Sequence, residues 1–120
     1  MKKIWILFGV IALIALATVV FAVDGKMGLN WTANSEPDLD HYNVYRSLIA
    51  GGPYTKTNID PILNPNYLDI GLPDSTTYYY VVTAVDVAGN ESGYSEEASA
   101  TIPDLTPPAP PVGLTIQQEE

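Results

Sequence analysis

An all-β sandwich is the fold class that this 120-residue sequence predicts, and three observations carry it. From Gly28 onward apolar residues recur at every second position, the period of a strand with one buried face. Short clusters of Gly, Pro, Asn and Asp separate these runs, where positive φ, a preset φ or a side-chain bond to the backbone makes a turn. No stretch beyond the N-terminal segment shows an apolar stripe at helical spacing behind a capping residue. Strands spaced this way with no helices pack as facing sheets or close into a small barrel.

The first segment is of another kind. Met1-Lys2-Lys3 is a short positive start, and Ile4 to Val23 is apolar apart from Gly9 and Thr18. A charged start, an apolar stretch and Val20 and Ala22 at alternate positions predict a bacterial-type secretory signal helix over residues 1–22, with cleavage after Ala22. Ala15 and Ala17 offer an earlier small-x-small site. The rival reading is an uncleaved anchor, because about twenty apolar residues just span a bilayer. Both readings keep Lys2 and Lys3 in the cytoplasm and export the remainder.

The strands follow in order over residues 23–102. Leu29 and Trp31 alternate with Gly28 and Asn30. Tyr42 and Val44 alternate with Asn43 and Tyr45. The longest run, Thr76 to Asp86, sets Tyr78, Tyr80, Val82 and Ala84 on one face and Tyr79, Val81, Thr83 and Val85 on the other. Ser95 to Ile102 places Ala98, Ala100 and Ile102 together. The turns between them are Asn34-Ser-Glu-Pro-Asp38, Gly51-Gly-Pro53, Asn64-Pro-Asn66, Gly71-Leu-Pro-Asp74 and Ala88-Gly-Asn90, the last reading as a hairpin turn. Residues 103–111 are a Pro-rich linker, and residues 112–120 are a short tail.

Charge and composition exclude several functions. Once Lys2 and Lys3 are set aside, Lys26, Arg46 and Lys56 face fourteen acidic residues. Such a surface repels phosphate, so neither nucleic acid nor an anionic membrane surface is expected as a partner. Membrane contact is expected only through the N-terminal segment, if that segment is retained. Without cysteine there is no disulfide, thiolate nucleophile or Cys-type zinc site.

The stretch from Leu29 to Ile102 resembles a fibronectin type III domain of the exported bacterial type. The resemblance lies in Leu29-Asn-Trp31-Thr, Tyr42-Asn-Val-Tyr-Arg46, Gly52-Pro-Tyr-Thr55, Leu72-Pro-Asp-Ser-Thr-Thr-Tyr78, Val82-Thr-Ala-Val-Asp86 and Gly89-Asn-Glu-Ser92. It implies an immunoglobulin-like sandwich with Leu29 and Trp31 on strand B, Tyr42 and Val44 on strand C, and Tyr78 to Ala84 on strand F. Trp31, Tyr42, Leu72 and Tyr78 become structural residues. Tyr78 is then the tyrosine corner, whose hydroxyl bonds back to nearby backbone.

One departure stands out. Strand A is missing ahead of strand B, while Val112 to Ile116 looks like a strand A at the wrong end. The tail could return to its own strand B, complete a neighbour's edge by strand exchange with self-association, or belong to a following domain of a longer chain.

Candidate chemistry is sparse. His41, the single histidine, has outward parity at the start of strand C and reads as a solvated strand-end residue rather than a general base. Glu36, Asp38 and Asp40 form the best calcium candidate, although Pro37, the short reach and the lack of a glycine favour ordinary turn chemistry. No catalytic residue and no cofactor is expected. The outward faces of strands C and F present Tyr45, Tyr79, Val81 and Val85 as a candidate partner surface, against a purely structural role in cross-strand pairing. The expected function is a non-catalytic spacer or adhesion module, secreted, cell-surface or periplasmic, or anchored with the domain outside the cytoplasm. Its expected partner is an unknown cell-surface protein or polysaccharide. The alternative is a carbohydrate-binding accessory fragment of an extracellular polysaccharide-degrading enzyme.

Overall fold

The computed structural model describes residues 17–119, and the N-terminal segment as far as Leu16 lies outside the described residues. Seven strands follow: β1 (Ala17–Val23), β2 (Lys26–Trp31), β3 (Leu39–Ser47), β4 (Thr55–Lys56), β5 (Asn66–Ile70), β6 (Thr77–Asp86) and β7 (Ala98–Thr101). They form two antiparallel sheets, β1-β2-β5 and β4-β3-β6-β7. The fold class read from the alternation is the one observed.

Strand A is where the sequence reading needs correcting. It is neither missing nor supplied by the tail, because β1 pairs with β2 from Ala17 opposite Trp31 to Val23 opposite Lys26. From Ala17 the segment expected as a signal helix is strand, and the boundary expected after Ala22 falls inside β1. The physical reason lies in the turn. Asp24 and Gly25 have φ of 51° and 69°, the paired positive values of a two-residue type I′ hairpin. A side chain at Gly25 is excluded on a second ground, since its Cβ would lie 2.8 Å from the Leu72 carbonyl oxygen. Gly28 is needed for close approach: a Cβ there would sit 2.2 Å from the Phe21 ring, so its bare backbone seats that ring.

The tail does not return. Residues 103–119 carry no strand, and Val112 and Leu114 are each 95% exposed.

The core lies between the sheets. Tyr42, Val44, Tyr78, Tyr80, Val82 and Ala84 point into it from β3 and β6, and Met27, Leu29 and Trp31 meet them from β2. Leu72 and Ile102 close its end, with Ala17 reaching it from β1. The Trp31 and Tyr42 rings meet edge to face, with centroids 5.2 Å apart and planes at 72°, the favoured arrangement for two ring quadrupoles. The resemblance assigned the backbone-bonding tyrosine to Tyr78. Among the described residues it is Tyr42 whose hydroxyl accepts from main chain, the Asn34 N–H at 2.8 Å. Tyr78 is buried, with the Arg46 guanidinium 5.3 Å above its ring.

Candidate functional site

The outward side of the β4-β3-β6-β7 sheet is shaped by an irregular segment, residues 87–97. It begins at the hairpin read from Ala88-Gly89-Asn90, where Asp86 Oδ1 accepts from the Asn90 N–H at 2.8 Å and Asp86 Oδ2 from the Asn90 amide at 3.0 Å. These bonds hold the Asp86 carboxyl below its ordinary range. The chain then runs back along β6. Ser92 donates its N–H to the Ala84 carbonyl at 2.8 Å and accepts the Ala84 N–H on its hydroxyl at 2.9 Å. Ser95 repeats this with Val82, at 2.9 Å for each bond. Two serine hydroxyls thus stand in for strand carbonyls and fix the Gly93-Tyr94 pair between them, with Tyr94 on the outer face.

Tyr94 is 55% exposed and joins two other rings edge to face: Tyr45 of β3 at 5.3 Å and Tyr54 of the β3–β4 turn at 5.2 Å. Each end of this three-ring row is held by a carboxylate. Glu91 Oε2 accepts from Tyr45 Oη at 2.5 Å, Thr83 Oγ1 at 2.5 Å and Asn43 Nδ2 at 3.3 Å. Glu97 accepts from the Tyr54 hydroxyl and from the Gly51 N–H at 2.7 Å, which ties the Gly-Gly-Pro turn to the approach of β7. Partial burial, then the bond to Glu91, pushes the Tyr45 hydroxyl up to about 12. The bond to Glu97 leads the causes that push Tyr54 up to about 12.

Burial opposes ionisation of Glu91, yet the bonds from Thr83, Tyr45 and Asn43 outweigh it and hold the carboxyl below its usual range. Its folded form therefore binds fewer protons than the unfolded chain in mild acid. The stability it contributes is present above the unfolded pKa and is lost as pH falls through the folded one. Urea unfolding at pH 7 and pH 4 tests this. The parent is expected to lose more stability on acidification than Glu91→Gln does, and equal losses would remove Glu91 as a contributor.

The residues expected from sequence are distributed unevenly. Tyr45 is in the aromatic row. Tyr79 is half-buried on the same strand face, opposite Ser47 and Ser99. Val81 and Val85 do point away from the core cluster, but at 2% and 7% exposure they are covered and offer no contact surface. The reason is their central position: β3 flanks β6 on one side, and the Ser92–Ser95 segment completes the other. Glu36, Asp38 and Asp40 are not gathered as a metal site, since among the described residues no group of three or more His, Cys, Asp or Glu side chains could hold an ion. Asp40 instead lies 2.7 Å from His41 Nδ1. Sequence reading missed Tyr54, Tyr94, Glu91 and Glu97. The available signal was Ser92-Gly-Tyr-Ser95, two hydroxyls bracketing an aromatic residue directly after a hairpin.

A depression of about 770 Å³ is lined by Arg46, Lys56, Asp69 and Tyr78 among others. Its acid and its guanidinium are committed to each other, with Arg46 Nη1 2.7 Å from Asp69 Oδ2.

No family model matches the chain. An Fn3-like protein from Clostridium thermocellum is 38% identical, covers 77% of this chain and 91% of its own, and superposes with a TM-score of 0.60. The chain belongs to the fibronectin type III family. The β-1,2-glucanase of Parabacteroides distasonis contains a similar domain, 29% identical with a TM-score of 0.65, over 78% of this chain and 13% of that one. An amylopullulanase of Thermoanaerobacterium thermosulfurigenes is 34% identical over 95 residues, which are 79% of this chain and 5% of the enzyme. This fibronectin type III domain therefore spans about a twentieth of the amylopullulanases it matches.

Proposed function

We propose that this domain is a non-catalytic spacer and adhesion module working outside the cytoplasm, in the setting of polysaccharide-degrading enzymes. The carrying observation is the pattern of coverage. The domain nearly fills one relative that is an Fn3-like protein by itself, and matches only 5–6% of amylopullulanases. A module so small beside its hydrolase relatives is an attachment to the catalytic part. Its own polar groups fit that role: Asp69 with Arg46, and Glu91 and Glu97 with tyrosines, support structure instead of converging on a reacting atom. Export is read from the charged, apolar N-terminus.

The carbohydrate-binding reading is favoured by one feature, the exposed Tyr94 held between Tyr45 and Tyr54. Rigid aromatic side chains with little left to order are suited to stacking on sugar rings. Pull-down of the purified exported protein on insoluble starch and cellulose separates the readings. Retention that falls at least about tenfold in Tyr94→Ser, with an unchanged melting temperature, supports carbohydrate binding; tenfold corresponds to about 1.4 kcal/mol. A parent protein that stays in solution with both polymers leaves the spacer role.

A further inference from the structure

The apolar N-terminal run serves two ends that compete for the same residues. Export processing removes apolar residues from the start of the chain, whereas the sandwich needs some of them as β1. Ala17 is 5% exposed within the core cluster, with Val19 and Ala22 packed against it. The Phe21 ring lies over Gly28, and Thr18 Oγ1 donates to Asn30 Oδ1 at 2.7 Å. Cleavage after Ala22 would leave only Val23 of the seven residues of β1. It would uncover the apolar side of β2 and bare a strand edge next to it.

The sequence holds a second cleavage pattern that avoids this loss. Ala15-Leu16-Ala17 is a small-x-small triplet, with Ile4 to Ile14 ahead of it. That run of about eleven residues lies within the ~7–15 of an export signal. Cutting after Ala22 would leave Ile4 to Val19 ahead of the triplet, about sixteen residues and beyond that range. Composition also changes at this point. Ala and Leu are frequent just before it, while Thr18-Val-Val-Phe-Ala-Val23 is mostly β-branched and aromatic, as a strand prefers.

We propose that export processing cuts the chain between Ala17 and Thr18, so that the mature domain begins with the second residue of β1. This rests on the export reading above. The step is hydrolysis by a host leader peptidase. Water adds to the Ala17 carbonyl carbon and the Ala17–Thr18 amide breaks, leaving a carboxylate on the leader and an ammonium on Thr18. Thr18 is exposed, so the new charge stays in water. What the domain gives up is the buried methyl of Ala17, a small part of β1.

The experiment uses the full chain produced in an exporting bacterial host, with the N-terminus of the exported protein read by intact mass and sequencing. A start at Thr18 is expected. A start at Val23 overturns the proposed site while leaving export intact, a start at Met1 overturns cleavage and leaves the run as an uncleaved anchor, and protein found only in the cytoplasm overturns the export reading together with the site. Two variants sharpen the result. Ala17→Leu is expected to cut the processed fraction at least about tenfold, whereas Ala22→Leu leaves processing at Thr18 unchanged. The reverse sensitivity overturns the proposal.

Discussion

Asp69→Ala is expected to lower the unfolding free energy by about 3 kcal/mol, read as a shift of the urea midpoint. Asp69 lies on β5, one strand of the β1-β2-β5 sheet, and its Oδ2 reaches across to the other. There it accepts from Arg46 Nη1 of β3 at 2.7 Å and from Tyr80 Oη of β6 at 2.7 Å. Arg46 and Tyr80 are themselves opposite each other in the β3–β6 register, so one carboxylate links three strands in two sheets. The two partners do not lose equally when it is removed. The Arg46 side chain is 35% exposed and regains water, so its share is discounted for solvent screening. Tyr80 is fully buried, and its hydroxyl would be left without an acceptor, a penalty of about 1–3 kcal/mol. Burial, with the bond to Asp69 next, raises the Tyr80 pKa, as expected for a phenol kept neutral beside a carboxylate. A double change separates the parts. Asp69→Ala combined with Tyr80→Phe is expected to cost less than the two single changes added, by about 1–2 kcal/mol, because no hydroxyl is then stranded. Strict additivity would mean that the two groups do not share a bond in solution.

Much of this architecture was legible, and the failures have specific physical causes. The alternations of Leu29 and Trp31, Tyr42 and Val44, and Tyr78 to Ala84 identify β2, β3 and β6 because a half-buried strand imposes period two on its side chains. Parity also placed Val81 and Val85 off the core face correctly. Parity does not report cover, however: Val81 lies opposite Tyr45 and Val85 opposite His41 and Glu91, and both are buried although they face away from the core. β1 was hidden for a different reason. An apolar, β-branched run has the same composition whether it enters a membrane or pairs in a sheet, and the lysines at positions 2 and 3 favour the membrane reading. Asp24-Gly25 beside Lys26–Trp31 was the contrary signal, since a two-residue hairpin needs a strand on each side. The start of β7 was also read too early, at Ser95 instead of Ala98. Ser92 and Ser95 close the edge of β6 with hydroxyls, a pairing that leaves no periodic trace. Tyr94 and Tyr54 meet only because that segment and the Gly51-Gly52-Pro53 turn converge, and no local pattern encodes that meeting.

The largest single loss is expected from Trp31→Ala, about 3–5 kcal/mol, or a drop of roughly 15–30 °C in melting temperature for a domain of this size. Trp31 is 6% exposed and stands where three parts of the core meet. It pairs with Ala17 of β1, lies edge to face with Tyr42 of β3, and its N–H holds the Pro65 carbonyl at 3.1 Å. The backbone bond survives truncation, so the loss comes from the ring: its transfer out of water, its contact with Tyr42, and a cavity between two sheets that strand pairing prevents from closing. Trp31→Phe distinguishes packing from polarity. It keeps an aromatic edge toward Tyr42 and removes Nε1, which is buried without an acceptor among the described residues. Removing that unsatisfied donor offsets part of the lost volume, so the cost is expected to stay below about 2 kcal/mol. If Phe were as damaging as Ala, the indole N–H would have a partner in solution and the polar account of this site would be wrong. If Ala cost less than about 1 kcal/mol, the sheets would have to collapse onto the vacancy, contrary to the stiffness that their register implies.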